Sequence, residues 1–322
     1  MDFNLSAAQL TSQSKAHELG KSLAADASPG DAIRAAVAAG VIDTRVDLLA
    51  AVVAVEALAY ESSSTGVSLA LHAGVTVGLD GDSRFSGLAR GETVGAIALS
   101  SDDVPVEQDG RLSGRAAWVT PLTALGVAVI GMRSGDGLSA AAVMLNAPGV
   151  IQEPVDTAAL AGLVCGHVRL DGAPFTAVGP TMPFMSRVRI LLSAAGLGMG
   201  RRALHEALVA AHGRTGHGAG GEQTVQGLLA DAATELDAAM LLTWKAAAAS
   251  TLSLADASMA KLAATGATQR AVARATQVVG ADSFRRGHVI ERLAQDVRTL
   301  ELFAGRTEAL REAVALETLP RT

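Results

Sequence analysis

The sequence predicts a mainly α-helical protein with a central β domain. Three observations predict it. Hydrophobic residues make up 49% of the chain but aromatics only 3%, so the core is aliphatic and alanine-rich, and alanine is the best helix former. Long apolar-periodic runs occupy both ends of the 322 residues. Between them, short alternating runs recur about every ten residues, bounded by turn residues, which is the pattern of a small antiparallel barrel or sandwich. The chain is long enough for two or three subdomains. We divide it into a helical domain over residues 1–91, a β-barrel domain over 92–182 and a four-helix bundle over 183–322.

In the first part, Asn4-Leu5-Ser6 offers an N-cap to a helix reaching about Ala27. Ser28-Pro29-Gly30 breaks it, and Asp31 caps a short helix ending at Gly40. Thr44 to Tyr60 is apolar on more than one face, as in a buried helix. Another helix runs to about Gly78. The character changes at Glu92. The runs TVGAIALS, RLSGRAAWVT, GVAVIGM, LSAAAVML and LVCGHVRL read as strands, with Asp109-Gly110 as a hairpin turn between the first two. Four long helices follow: Ser186–Ala211, Glu222–Ser250, Leu254–Gly280 and Gly287 to about Leu316. Their short connections imply an antiparallel bundle.

Charge and composition remove several function classes. The formal net charge is −6 with no long run of one sign, which argues against a phosphate-binding basic face and hence against a nucleic-acid partner. Cys165 is the single cysteine, so no internal disulfide forms and a cytoplasmic location is expected. The opening MDFNLSAAQL lacks the pattern of a secretory signal, and no charge-free apolar stretch is long enough for a membrane span. A mean hydropathy of +0.33 implies large buried interfaces, and so an oligomer. The run Gly196-Leu197-Gly198-Met199-Gly200 has its third glycine out of place for a dinucleotide fingerprint and lies in a helical pattern. Close helix–helix packing is the better account. His212 and His217 have no carboxylate or cysteine at metal-ligand spacing, and no metal is expected.

The order of helical, β and four-helix domains resembles the acyl-CoA dehydrogenase family over nearly the whole chain. Short patterns recur in order: MDFNLSAAQ, LARGETVGAIALS, GRAAWVT, LHEALVAAHGRTGHG, and QVVGA followed by Glu291-Arg292 and Asp296. The resemblance implies the family's fold, an FAD cofactor, an acyl-CoA or acyl-carrier thioester as ligand, and a homo- or hetero-oligomer with a similar subunit. By it, Ser100 lines the flavin, Trp118 packs on the isoalloxazine edge and Thr120 hydrogen-bonds the ring. Arg214 reaches a neighbouring subunit's FAD diphosphate, a task that suits guanidinium. Gln277 and Gly280 contact the nucleotide from the partner subunit, and Ala281 replaces a second glycine there.

The departures bear on activity. The family's reaction, α,β-dehydrogenation of an acyl thioester, needs a carboxylate within reach of the α-proton. Counted from Asp296, the position that the family fills with glutamate is Ala304, followed by Gly305 and Arg306. The alternative base position in some members corresponds to about Val188. Glu301, three residues earlier and on nearly the same helix face, and Glu308 are the nearest carboxylates in sequence. No catalytic residue is therefore assigned. Three readings follow: a subunit that binds FAD and completes a site with a partner, an active homo-oligomer with a displaced base, and a scaffold or thioester-binding protein without flavin.

Overall fold

The computed structural model describes residues 4–23, 27–41, 47–99, 104–135, 137–213 and 223–319. Helices α1 (Ala7–Ser22), α2 (Pro29–Ala38), α3 (Leu48–Glu61), α4 (Ser63–Gly78) and the short α5 (Ser86–Ala89) come first. Ser6 and Gln9 form a capping box that starts α1. Ser28, not Asp31, caps α2: its hydroxyl accepts from Asp31 N, and Pro29 takes the first helical position, where its missing N–H costs nothing. The predicted unbroken apolar helix up to Tyr60 begins at Leu48, capped by Asp47.

Eight strands follow: β1 (Val94–Ala98), β2 (Val106–Gln108), β3 (Arg111–Val119), β4 (Gly126–Ser134), β5 (Gly137–Met144), β6 (Val150–Val155), β7 (Cys165–Ala173) and β8 (Thr176–Gly179). They form one mixed sheet in the order β6-β7-β3-β2-β4-β5-β8, with β1 paired to β4. The sequence led us to expect antiparallel pairing throughout. Instead β1 runs parallel to β4, from Val94 opposite Gly126 to Ala98 opposite Ile130. The Asp109-Gly110 turn joins β2 to β3, not β1 to β3. Strand β2 is too short to register as a run of its own, so sequence periodicity passes over it.

The last part holds α6 (Met182–Gly213), α7 (Gln223–Ala247), α8 (Leu254–Val279), α9 (Val289–Thr299) and α10 (Thr307–Thr318). The single fourth helix that the sequence predicts is two helices, interrupted over residues 300–306. The glycine run in α6 packs as expected. A Cβ at Gly198 would strike the backbone of Glu56 and Tyr60 on α3, and one at Gly200 would meet Leu236 of α7 and Thr268 of α8. Glycine lets these helices approach closely. Arg201 then ties three of them, donating to Glu56 at 2.6 Å and to Asp237 at 3.1 Å. One apolar core runs from α1–α4 into α6, α8 and α9, and a second lies against the sheet. No helix among the described residues is long and apolar enough to cross a membrane.

Candidate functional site

Two parts of the chain carry the predicted site residues. The first is the end of β3. Its ladder with β7 slips between Ala116, opposite Val168, and Val119, opposite Gly166. Ala117 and Trp118 together face His167 alone, which makes a β-bulge; such bulges bend a strand and re-aim a side chain. Trp118 adopts φ 56°, a left-handed conformation rare for a bulky residue, and its side chain is 53% exposed. Thr120 is buried beside it and donates its hydroxyl to the Trp118 carbonyl at 3.1 Å. Its own backbone exchanges two hydrogen bonds with Ile97 of β1. Trp118 and Thr120 are thus brought together, beside the end of β1 at Ala98. Ser100 and Arg214, also predicted to contact FAD, lie outside the described residues.

The second part is the stretch from Gln277 to Thr307. Gln277 is exposed on the last turn of α8, and Gly280 ends that helix with φ 75° and ψ −147°, a conformation open to glycine and costly for other residues. A 3-10 turn over Gly280–Phe284 leaves Ala281 exposed and Phe284 76% exposed. His288 then caps α9 by accepting from Ile290 N. Asp296 anchors α9 to the β domain: its carboxylate accepts from Leu160 N at 2.6 Å. Burial raises its pKa, and the Leu160 N–H opposes that shift. No hydrogen bond joins Gln277 or Gly280 to Trp118 or Thr120 among the described residues.

Beyond α9 the chain turns over residues 300–306, and this turn holds the predicted base position. Ala304 has φ 55° and Gly305 φ 113°. Two buried cations grip the turn from below. Arg189 of α6, 6% exposed, donates Nε to the Ala304 carbonyl at 2.9 Å and Nη1 to Ser258 at 2.9 Å. Lys261 of α8, 1% exposed, donates Nζ to the carbonyls of Leu300 at 2.7 Å and Gly305 at 3.4 Å. Burial lowers the Lys261 pKa to about 7, helped by the Arg189 charge and opposed by Glu301. Burial alone lowers that of Arg189 to about 10.

Around this turn the carboxylates do not replace a base. Glu301 does not share a helix face with residue 304, because 300–304 is a turn and not a helix. It accepts from Gln269 Nε2 at 3.3 Å and from Thr307 Oγ1 at 3.3 Å, which tie it to α8 and the start of α10. Glu308 is exposed in the first turn of α10. Val188 is fully buried against Gly74 of α4. The sequence reading missed Arg189 and Lys261. A charged residue inside an apolar helical run is their only signal, and such residues are seldom buried without a purpose.

Residues 180–319 match the family model described as the acyl-CoA dehydrogenase C-terminal domain. The short-chain specific mitochondrial acyl-CoA dehydrogenase of Bos taurus is 27% identical over 312 residues, covering 84% of this chain and 76% of the relative. The 3-sulfinopropanoyl-CoA desulfinase of Paraburkholderia xenovorans is 37% identical over 95 residues, 29% of this chain and 24% of the relative. Among solved structures, butyryl-CoA dehydrogenase from Megasphaera elsdenii superposes with a TM-score of 0.85 at 18% identity, covering 99% of this chain and all of that one.

Proposed function

We propose, from the match of residues 180–319 to the acyl-CoA dehydrogenase C-terminal domain and the likeness to a short-chain specific acyl-CoA dehydrogenase over 84% of the chain, that this chain is an FAD-binding subunit of an acyl-thioester oxidoreductase that lacks its own base and completes a site with a similar subunit. The observation that carries this is the turn over 300–306. Its scaffold is fully built, with Arg189 and Lys261 holding three of its carbonyls, yet the residue it presents is Ala304. A carboxylate is missing from an otherwise intact support.

The residues present suit a flavin in one respect. Trp118 is an exposed aromatic with both of its peptide polar groups engaged by side chains, Nδ1 of His167 and Oγ1 of Thr120, so its ring has a fixed place on which a planar heterocycle can stack. Bound FAD supplies a hydride acceptor. This chain's Trp118 would meet its ring, with Thr120 buried behind it and holding the Trp118 carbonyl, while Gln277, exposed on the last turn of α8, and Gly280, at its end, would meet the nucleotide of a partner. Glu301 is committed to Gln269 and Thr307, which weighs against the reading with a displaced base.

The test is reconstitution of the purified chain with FAD, followed by gel filtration and absorbance. Retained flavin absorbance, with thioester dehydrogenation appearing only on co-expression with a similar subunit that carries the glutamate, is the expected result. A chain that never retains flavin, alone or with such a partner, leaves the scaffold reading in its place. Dehydrogenation by the lone flavin-loaded chain would restore the displaced base.

A further inference from the structure

The geometry points to His167 as a positioning residue for Trp118, fixing the ring-stacking surface on which a planar aromatic cofactor would lie; this rests on the flavin reading above. His167 stands opposite the bulge on β7. A bulge leaves one peptide without its ladder partner. Here the orphaned N–H is that of Trp118, and the imidazole takes it: Trp118 N donates to His167 Nδ1 at 3.3 Å. The same ring packs edge-on against the indole, with centroids 5.2 Å apart and planes at 68°, an arrangement that aromatic pairs favour.

One side chain therefore does two things to one residue. It satisfies the backbone of a tryptophan held at φ 56°, and it walls one side of the indole. A non-glycine residue persists in the left-handed region only when its surroundings over-determine it. Thr120 supplies the other half, through its hydroxyl on the Trp118 carbonyl. Because Nδ1 accepts, the imidazole that makes this contact is neutral with its proton on Nε2. Nothing in the family resemblance draws attention to position 167; only the register of β3 against β7 does.

The experiment uses the full chain carrying Trp244→Phe, which leaves Trp118 as the sole tryptophan, since the sequence has two. Near-UV circular dichroism then reads the immobilisation of that indole, and FAD titration reads the surface. We expect His167→Leu to lose most of the Trp118 band and to raise the FAD dissociation constant about tenfold. In His167→Asn, Oδ1 replaces Nδ1 as acceptor, and both should be retained. A His167→Leu chain with the parent's band, or an Asn variant no better than Leu, overturns the proposal. If the parent binds no FAD, the flavin reading falls and the band alone decides the role of His167. Should the Leu variant fail to fold, hydrogen exchange of the Trp118 amide in the unmodified chain decides it. Protection above that of neighbouring exposed amides is expected, and free exchange overturns the assignment.

Discussion

Arg189 Nε donates to the carbonyl of Ala304 over 2.9 Å, so a buried cation on α6 fixes the backbone of the residue where a catalytic carboxylate was expected. Lys261 secures the flanking carbonyls of Leu300 and Gly305. The turn is built as a support for whatever side chain position 304 carries, and its own strain at Ala304 is sustained by these bonds.

Gly305 is the most constrained residue of that turn. Its φ of 113° disfavours any side chain, and an added Cβ would stand 2.9 Å from Arg189 Nη2. Gly305→Ala should therefore cost about 3 kcal/mol of stability, read as a lowered urea midpoint at unchanged slope. A cost under about 1 kcal/mol would mean that Arg189 does not hold the turn.

Ala304→Glu adds no new class of backbone strain, since alanine already occupies the left-handed region there. The flavin-loaded variant should exchange the α-proton of an acyl-CoA with deuterated solvent, while the parent chain should not. Equal exchange in both, followed by mass spectrometry of the thioester, would remove position 304 from the chemistry.

Lys261 links the turn to pH. Its folded pKa of about 7 lies below the ordinary value of 10.5, chiefly through burial. Between these values the unfolded chain holds a proton that the folded chain does not, so this group makes stability rise from about pH 7 towards pH 10. The rise should be a few kcal/mol at most. Urea titrations of the parent and Lys261→Met across that window should differ in slope, and parallel curves would show an ordinary lysine.

His72 acts on the acid side. It is 3% exposed, Gly95 N donates to its Nδ1 at 3.0 Å, and burial lowers its pKa to about 4. Protons bind the unfolded chain first as pH falls from about 6.5, so the stability that neutral His72 confers is lost between there and pH 4, about 3 kcal/mol in all. His72→Asn keeps an acceptor for Gly95 without the titration. Its stability should fall less over this window, as thermal melts at pH 6.5 and 4.5 would show.

The sequence by itself determined the fold class, the order of its helical and β parts and the packing role of the Gly196–Gly200 run, because helical and strand periodicities and glycine positions are local. It also singled out Trp118, Thr120 and Ala304, through the order of motifs that resemble the acyl-CoA dehydrogenase family. It read residues 287–316 as one helix because the 300–306 segment keeps apolar residues at helical spacing. Only the tertiary structure broke that helix, since the carbonyls freed in the turn find their donors on α6 and α8, remote in sequence from the turn. The parallel pairing of β1 with β4, and the bulge that sets His167 against Trp118, were likewise decided by contacts between distant strands. Periodicity records which face of an element is buried, not which partner buries it.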